Sequence, residues 1–538
     1  MASKAESAEG GRDALVEEIR TGYAVDGPAI ELGALVVDGK GVPEAAVRLP
    51  LAVLNRHGLV AGATGTGKTK TLQLMAEQLS AQGVPTFLAD MKGDLSGMAL
   101  SGEPNEKITS RAAEVGQQWS PAGCPVEIFT LGGRGTGVPI RATVTSFGPV
   151  LLSKVLGLND VQSSSLGLVF HFADKAGLPM LDLKDLRAVV QYLVSDEGKG
   201  DLEGLGGLSK ATAGVILREL IAFSDKGADA FFGEPQLDTA DLIRVTDDGR
   251  GIVNLLELPG VQSEPALFST FLMWLLADLF ESLPEVGDVE EPKLVFFFDE
   301  AHLLFQDASK DFLDQIAQTV RLIRSKGVGV FFVTQSPTDV PREVLGQLGS
   351  RVQHALRAFT PEDAKALKAT ASTYPTTPFY DMTELLTSVG TGEAVVTVLS
   401  ERGAPTPVAW TRLRAPLSLM APAPQRALEE CVASSPLMAE YGTAVDRDSA
   451  YERLAKKLAA PVGADVDTQV DADTSVVREP SPPAPESSRP GRPEPAQVGV
   501  AERVLESPVF RNFMRSAGTA IGREITRSVF GTGRRRRR

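Results

Sequence analysis

A chain of 538 residues, 43% hydrophobic and 23% charged, carries enough apolar material for a sizeable core and for more than one domain, which excludes a chain that stays mostly unfolded. Its formal net charge of −15 argues against a protein that grips nucleic acid over its whole outer surface. The two cysteines, Cys124 and Cys431, lie far apart in no metal-like spacing, which excludes a disulfide framework and points to a reducing compartment.

The opening stretch, MASKAESAEGGRDALVEEIR, is polar and lacks the apolar core of a secretory signal. Residues 1–50 read as a polar lead-in that ends in a short hairpin, AIELGALVVDGKGVPEAAVRLPL. From residue 51 onward short apolar runs alternate with helical patterns: HGLVAG, VPTFLAD, PVEIFTL, GIVNLLEL, KLVFFFDE, GVGVFFVTQ and VQHALRAF. That alternation is the signature of a parallel sheet with helices on its faces. Between Leu151 and about Ala240 the pattern turns helical, so a helical insertion is expected within an α/β domain covering residues 51–420. The longest apolar stretch, about Leu267 to Ala277, falls short of the roughly 20 residues that cross a bilayer. The chain therefore reads as soluble and cytoplasmic, with no membrane span. EAVVTVLS and PTPVAWTRL flank a Gly/Pro turn and predict an antiparallel pair at a sheet edge.

Residues 421–460 read as a helical segment. Residues 461–500 are rich in Pro, Ser and Asp and read as a disordered linker. In the tail, 501–538, Phe513, Ala517, Ile521, Ile525 and Val529 recur every four residues and predict a basic helix. This tail has ten arginines against three acids, a balance of +7, which leaves −22 on the rest of the chain.

Three motifs carry chemistry. Gly62-Ala63-Thr64-Gly65-Thr66-Gly67-Lys68-Thr69 follows the apolar run Leu59-Val60-Ala61 and precedes the helical stripe Leu72, Met75, Ala76 and Leu79. In that context a nucleotide's phosphates would rest on backbone N–H groups at a helix N-terminus, where the dipole favours anions. Lys68 would reach the β and γ phosphates and Thr69 would offer its hydroxyl to Mg2+. The second motif ends the strand Leu-Val-Phe-Phe-Phe with Asp299 and Glu300. Carboxylates at that end lie beside a phosphate loop in a doubly wound sheet, so Asp299 would hold magnesium and Glu300 would orient or deprotonate the attacking water. The third ends a strand with Thr334-Gln335-Ser336, polar groups able to meet the γ-phosphate or the water. Four histidines (His57, His171, His302, His354) have no metal-like spacing and read as structural.

Together GATGTGKT, FFFDEAH, VTQSP and ALRAFTPED resemble the HerA/FtsK superfamily of P-loop motor ATPases, most closely a HerA-like (YjgR-type) bacterial group. The resemblance covers roughly residues 45–420, and the end GREITR…RRRRR is similar to that group's tail. It implies an α/β RecA-like core, ATP and Mg2+ as cofactors, and a hexameric homo-oligomer that moves or remodels double-stranded DNA. It also implies that Gln335 senses the γ-phosphate and that an arginine just ahead of the sensor strand acts on the neighbouring subunit's site. Arg324 stands at that position, with Arg321, Arg351 and Arg357 as fallbacks. Asp90-Met-Lys92-Gly-Asp94 resembles an acidic/Lys turn of the superfamily that lines the site. Only about 60 residues precede the phosphate loop, fewer than the N-terminal β-barrel of HerA proper needs, so HerA's nuclease partner is not carried over. Two rival functions stand beside a DNA motor. One is a motor or switch acting on protein, which suits an acidic exterior; the other is a small-molecule kinase, which gains nothing from a water-orienting Glu300.

Overall fold

The computed structural model describes residues 2–459, apart from 203–205, 262–264, 288 and 307–309. The linker expected over 461–500 and the basic helix expected over 501–538 lie outside the described residues. The strands are β1 (Ala29–Val37), β2 (Lys40–Pro50), β3 (Gly58–Ala61), β4 (Thr86–Asp90), β5 (Val126–Leu131) and β6 (Val138–Ile140). They continue as β7 (Val253–Glu257), β8 (Leu294–Phe298), β9 (Val328–Thr334), β10 (Ser350–Gln353), β11 (Glu393–Thr397) and β12 (Ala409–Leu413). All join one 12-stranded sheet in the order β2-β1-β12-β11-β10-β3-β9-β8-β4-β7-β5-β6.

From β10 to β6 every neighbouring pair is parallel, and from β10 back to β2 every pair is antiparallel. The parallel strands are buried on both faces because successive side chains serve different layers. Val60, Val295, Phe297, Phe331 and Val333 pack against the helix Lys68–Ala81 through Leu72, Met75 and Leu79. Leu59, Phe296, Phe298, Val330 and Phe332 face the helices of residues 144–225 and the helix Pro265–Ser282, whose Phe271 and Trp274 are buried. A ladder of rings, Phe87–Phe296, Phe296–Phe298 and Phe298–Phe332, crosses β4, β8 and β9 on this second face at centroid separations of 4.5, 4.6 and 5.3 Å. The apolar stretch in Pro265–Ser282 thus ends in the core, and among the described residues no helix is long and apolar enough to cross a membrane.

Several expectations change. The polar lead-in begins with a helix, Ala2–Gly22, which buries Leu15 and Ile19; just beyond it Tyr23 is buried and donates its hydroxyl to Val396 O and Pro407 O, at 2.9 and 2.8 Å. The expected hairpin is β1–β2, and it lies outside the β11–β12 pair: β1 registers on β12, Gly33 opposite Leu413. The β11–β12 pair is therefore interior and not the sheet edge, because a segment almost 400 residues away in sequence covers it. The run VQHALRAF keeps strand pairing only to Gln353. Beyond it the backbone turns to cover the phosphate loop, with His354 N donating to Ala61 O at 2.7 Å and Ala63 N donating to Ala355 O at 2.9 Å.

Candidate nucleotide site

The helix Lys68–Ala81 starts from Gly67, whose φ of 116° is a backbone conformation that glycine adopts without a Cβ clash. Gly62 meets a different constraint: a Cβ there would stand 2.5 Å from the Cβ of His354, so only a bare backbone fits between β3 and β10. Inside the loop Thr66 Oγ1 donates to Ala63 O at 2.7 Å, and Lys68 Nζ donates to Gly62 O at 2.7 Å. The exposed turn Thr64-Gly65 and the half-buried Thr69 border the same mouth. Burial depresses the pKa of Lys68, and the charges of Glu300 and Asp299 work against that depression. His354 supports the loop from below through a 2.9 Å bond between its Nε2 and Thr71 Oγ1. Burial and the Lys68 charge lower its pKa to about 4, so the ring is neutral near pH 7.

Strand order assembles the rest. β9 lies between β3, which ends at the phosphate loop, and β8, which ends at Asp299. Parallel strands bring their carboxyl ends to one edge. Backbone bonds tie these ends together: Gly62 N donates to Thr334 O at 3.1 Å, and Ala301 N donates to Val333 O at 2.8 Å. Thr334 Oγ1 donates to Asp339 at 2.6 Å and so fixes the turn that leaves Gln335 exposed at the edge. Asp299 Oδ1 accepts the N–H of Glu300 at 2.9 Å, and burial followed by the Glu300 charge pushes the Asp299 pKa up to about 7. Glu300 itself has a left-handed backbone, φ 48°. Its Oε1 pairs with Lys92 Nζ at 3.2 Å, and its Oε2 lies 3.4 Å from His302 Nδ1 without forming a hydrogen bond.

Two acids complete this edge. Asp90, buried at the end of β4, accepts the N–H groups of Lys92, Gly93 and Leu95 at 3.1, 2.8 and 2.8 Å and so builds the turn that carries Lys92. Glu257 ends β7; burial, then the charges of Asp90 and Asp94, pushes its pKa up to about 8. Thr69, Asp299 and Glu300 offer only oxygen donors, the kind that suits magnesium. Glu300 Oε2 and Glu257 Oε1 are buried without hydrogen-bond partners, and a cation relieves the cost of keeping Asp299 charged there. The residues present fit a magnesium nucleotide.

The arginines are dispersed. Arg324 sits in the short turn Arg324–Lys326 that enters β9, at the amino end of the strand. Seven strand residues put it roughly 20 Å from Thr334. Arg321 is exposed on the same side. Arg351 donates to Thr373 Oγ1 at 2.5 Å and lies over the Tyr374 ring, whereas Arg357 is exposed beyond β10. Sequence reasoning missed Glu257, His302 and His354 as neighbours of the site. Glu257 had a signal, a carboxylate ending an apolar strand run, as at Asp299. His354 had none, since only the close approach of β3 and β10 gives it a task.

A family model described as "Helicase HerA-like C-terminal" matches residues 37–538. The DNA double-strand break repair helicase HerA of Saccharolobus solfataricus is 22% identical over 391 residues, which span 72% of this chain and 69% of the relative. A solved structure of the bacterial conjugative coupling protein TrwBdeltaN70, in an unbound monoclinic form, superposes with a TM-score of 0.50 at 16% identity, covering 76% of this chain and 94% of that one. That likeness is one of fold, and it bears out the α/β RecA-like core.

Proposed function

The chain belongs to the helicase HerA-like family, and from that premise we propose that it binds and hydrolyses ATP as an oligomeric motor that moves double-stranded DNA. The observation that carries this reading is the strand order: β9 between β3 and β8 gathers the phosphate loop, Asp299-Glu300 and Thr334-Gln335 at one edge. In this reading residues 62–69 cradle the phosphates through backbone N–H groups and Lys68 neutralises the terminal ones. Thr69 and Asp299 would hold magnesium, which would supply charge neutralisation to the nucleotide's phosphates. Glu300 takes a proton from the attacking water, and Gln335 orients that water against the γ-phosphate.

Arg324 completes the site of a neighbouring subunit. It lies at the amino edge of its own sheet, so the site it serves belongs to another copy, as in a hexameric ring. The two unpaired, widely spaced cysteines support a reducing, cytoplasmic setting. A nuclease partner is not part of this reading. A protein substrate is the second reading, favoured by the −22 charge outside the tail. One assay separates the two: ATP hydrolysis with and without duplex DNA, across a salt series. A DNA motor is stimulated by duplex DNA and loses that stimulation steeply as salt rises, because each phosphate contact releases counterions. Hydrolysis indifferent to DNA at low salt leaves the protein-substrate motor.

A further inference from the structure

Lys92 has no task in the nucleotide reading, yet the fold commits a buried carboxylate to placing it. Asp90, fully buried, spends three acceptor bonds on the N–H groups of Lys92, Gly93 and Leu95, and Gly93 takes a φ of 73° to let the turn close. Ser96 Oγ adds a bond to Gly93 O at 3.0 Å. The result is a turn beside β8, held by Asp90, that carries the half-exposed Lys92 to within ion-pair distance of Glu300.

Glu300 needs such a partner. Its backbone is pinned in the left-handed region between Asp299 Oδ1 and the bond from Ala301 N to Val333 O, but its side chain has its own torsions beyond the Cα. Lys92 Nζ takes Oε1 at 3.2 Å. That leaves Oε2, buried, 3.4 Å from His302 Nδ1 but without a hydrogen-bond partner, as the oxygen able to accept a proton. Burial opposes the charge on Lys92, but the bond to Glu300 and the charges of Glu300 and Asp299 outweigh it, so the ammonium form persists. We propose that Lys92 is a positioning residue: by holding Glu300 Oε1 through the Lys92–Glu300 ion pair, it aims Oε2 at the attacking water. The proposal rests on the ATP-hydrolysis reading and adds to it how the base is aimed.

The test measures MgATP affinity and steady-state hydrolysis for the full chain and for Lys92→Gln, Lys92→Arg, Glu300→Gln and the double variant Lys92→Gln/Glu300→Gln. Misaiming a catalytic group by about 1 Å costs on the order of 10²-fold, so Lys92→Gln should lose roughly 10- to 100-fold in kcat with its Kd for ATP within about threefold. Lys92→Arg, which also reaches a carboxylate, should recover most of the rate. The double variant should be no slower than Glu300→Gln alone, since two residues acting through one group do not add. Lys92→Met substitutes for the glutamine variant if that one fails to fold. A Kd that rises as kcat falls would make Lys92 a phosphate ligand and overturn the proposal, as would losses that multiply in the double variant or a kcat unchanged in Lys92→Gln. If the wild type binds ATP and hydrolyses it but Lys92→Gln matches it, only the role of Lys92 falls; if the wild type neither binds nor hydrolyses ATP, the nucleotide reading falls with it.

Discussion

The eight parallel strands from β10 to β6 and the four antiparallel strands from β11 to β2 share one sheet but are written in different residues. β8 reads Leu-Val-Phe-Phe-Phe and β9 reads Val-Gly-Val-Phe-Phe-Val-Thr, every position buried, whereas in β12 buried Ala409, Thr411 and Leu413 alternate with half-buried Trp410 and Arg412. Helices cover both faces of the first block, and only part of the second is covered so fully. The direction of the chain matters more. Parallel strands bring every carboxyl end to one edge, so polar residues that end strands meet there; antiparallel neighbours send successive ends to opposite edges. The residues of the candidate site therefore gather at the end of the parallel block, whereas in the antiparallel block polar side chains bond within the fold. Glu393, for example, accepts bonds from Trp410 Nε1, Arg412 and Gly390 N.

The largest effect is expected at the other edge of the parallel block, where the proposed function puts Arg324. Arg324→Ala should lower hydrolysis by about 10³- to 10⁵-fold, the usual worth of an arginine on a developing γ-phosphate charge. Mixed rings of Arg324→Ala and Glu300→Gln subunits should regain part of the activity, because some interfaces then pair an intact site with an intact arginine. Mixed rings confirmed by native mass spectrometry that stay silent at every ratio would return all of the chemistry to the carboxyl edge. Next come the carboxyl-edge residues themselves. Lys68→Ala should abolish ATP binding by calorimetry, while Glu300→Gln should keep it and lose roughly 10²- to 10⁴-fold in turnover. Equal loss of affinity in both variants would contradict the division between binding and water activation.

The antiparallel block should respond in the opposite manner. Glu393→Ala leaves the half-buried donors Trp410 Nε1 and Gly390 N without their acceptor, at a cost of about 1 kcal/mol each, the low end for unpaired donors because water reaches part of each group. Its thermal midpoint should fall while hydrolysis per folded molecule at low temperature stays near wild type; a large loss of kcat with unchanged stability would erase the contrast between the blocks.

The smallest effect is a pH dependence at the parallel edge. Glu257 has its folded pKa raised to about 8 from a reference value of 4.5. Between those values the folded state holds a proton that the unfolded state has released, so stability from this group is complete below about pH 4.5 and is lost as pH rises through about 8. Without metal or nucleotide, the thermal midpoint of Glu257→Gln should therefore match wild type near pH 4 and exceed it near pH 8. Midpoint curves that run parallel across that range would show that Glu257 is solvated at the edge.

How much of this was legible in the sequence depended on how local the cause was. The phosphate loop, its strand and its helix lie within about 25 consecutive residues, and residue identity alone determines the glycines, the lysine and the apolar stripe that make them. The same holds for Asp299-Glu300 and Thr334-Gln335, each the polar end of an apolar run, and for the runs that became β3, β4, β5, β7, β8 and β9. β6 went unread because three residues are too few for a period to register. The N-terminal helix hid behind its polar face, since only a few apolar residues, Leu15 and Ile19 among them, give it a reason to dock.

Local pattern by itself determined that this chain has a phosphate-binding α/β core and which residues end its strands. Only the tertiary structure decided which of those ends are neighbours. That Lys92 meets Glu300 across 208 positions, that β1 seals the edge beyond β12, that His354 underlies Gly62, and that Arg324 sits at the amino end of β9, opposite the phosphate loop, all follow from strand order. Strand order is set by long-range pairing and by the burial of whole faces, and those energies belong to pairs of segments, so neither segment's sequence contains them.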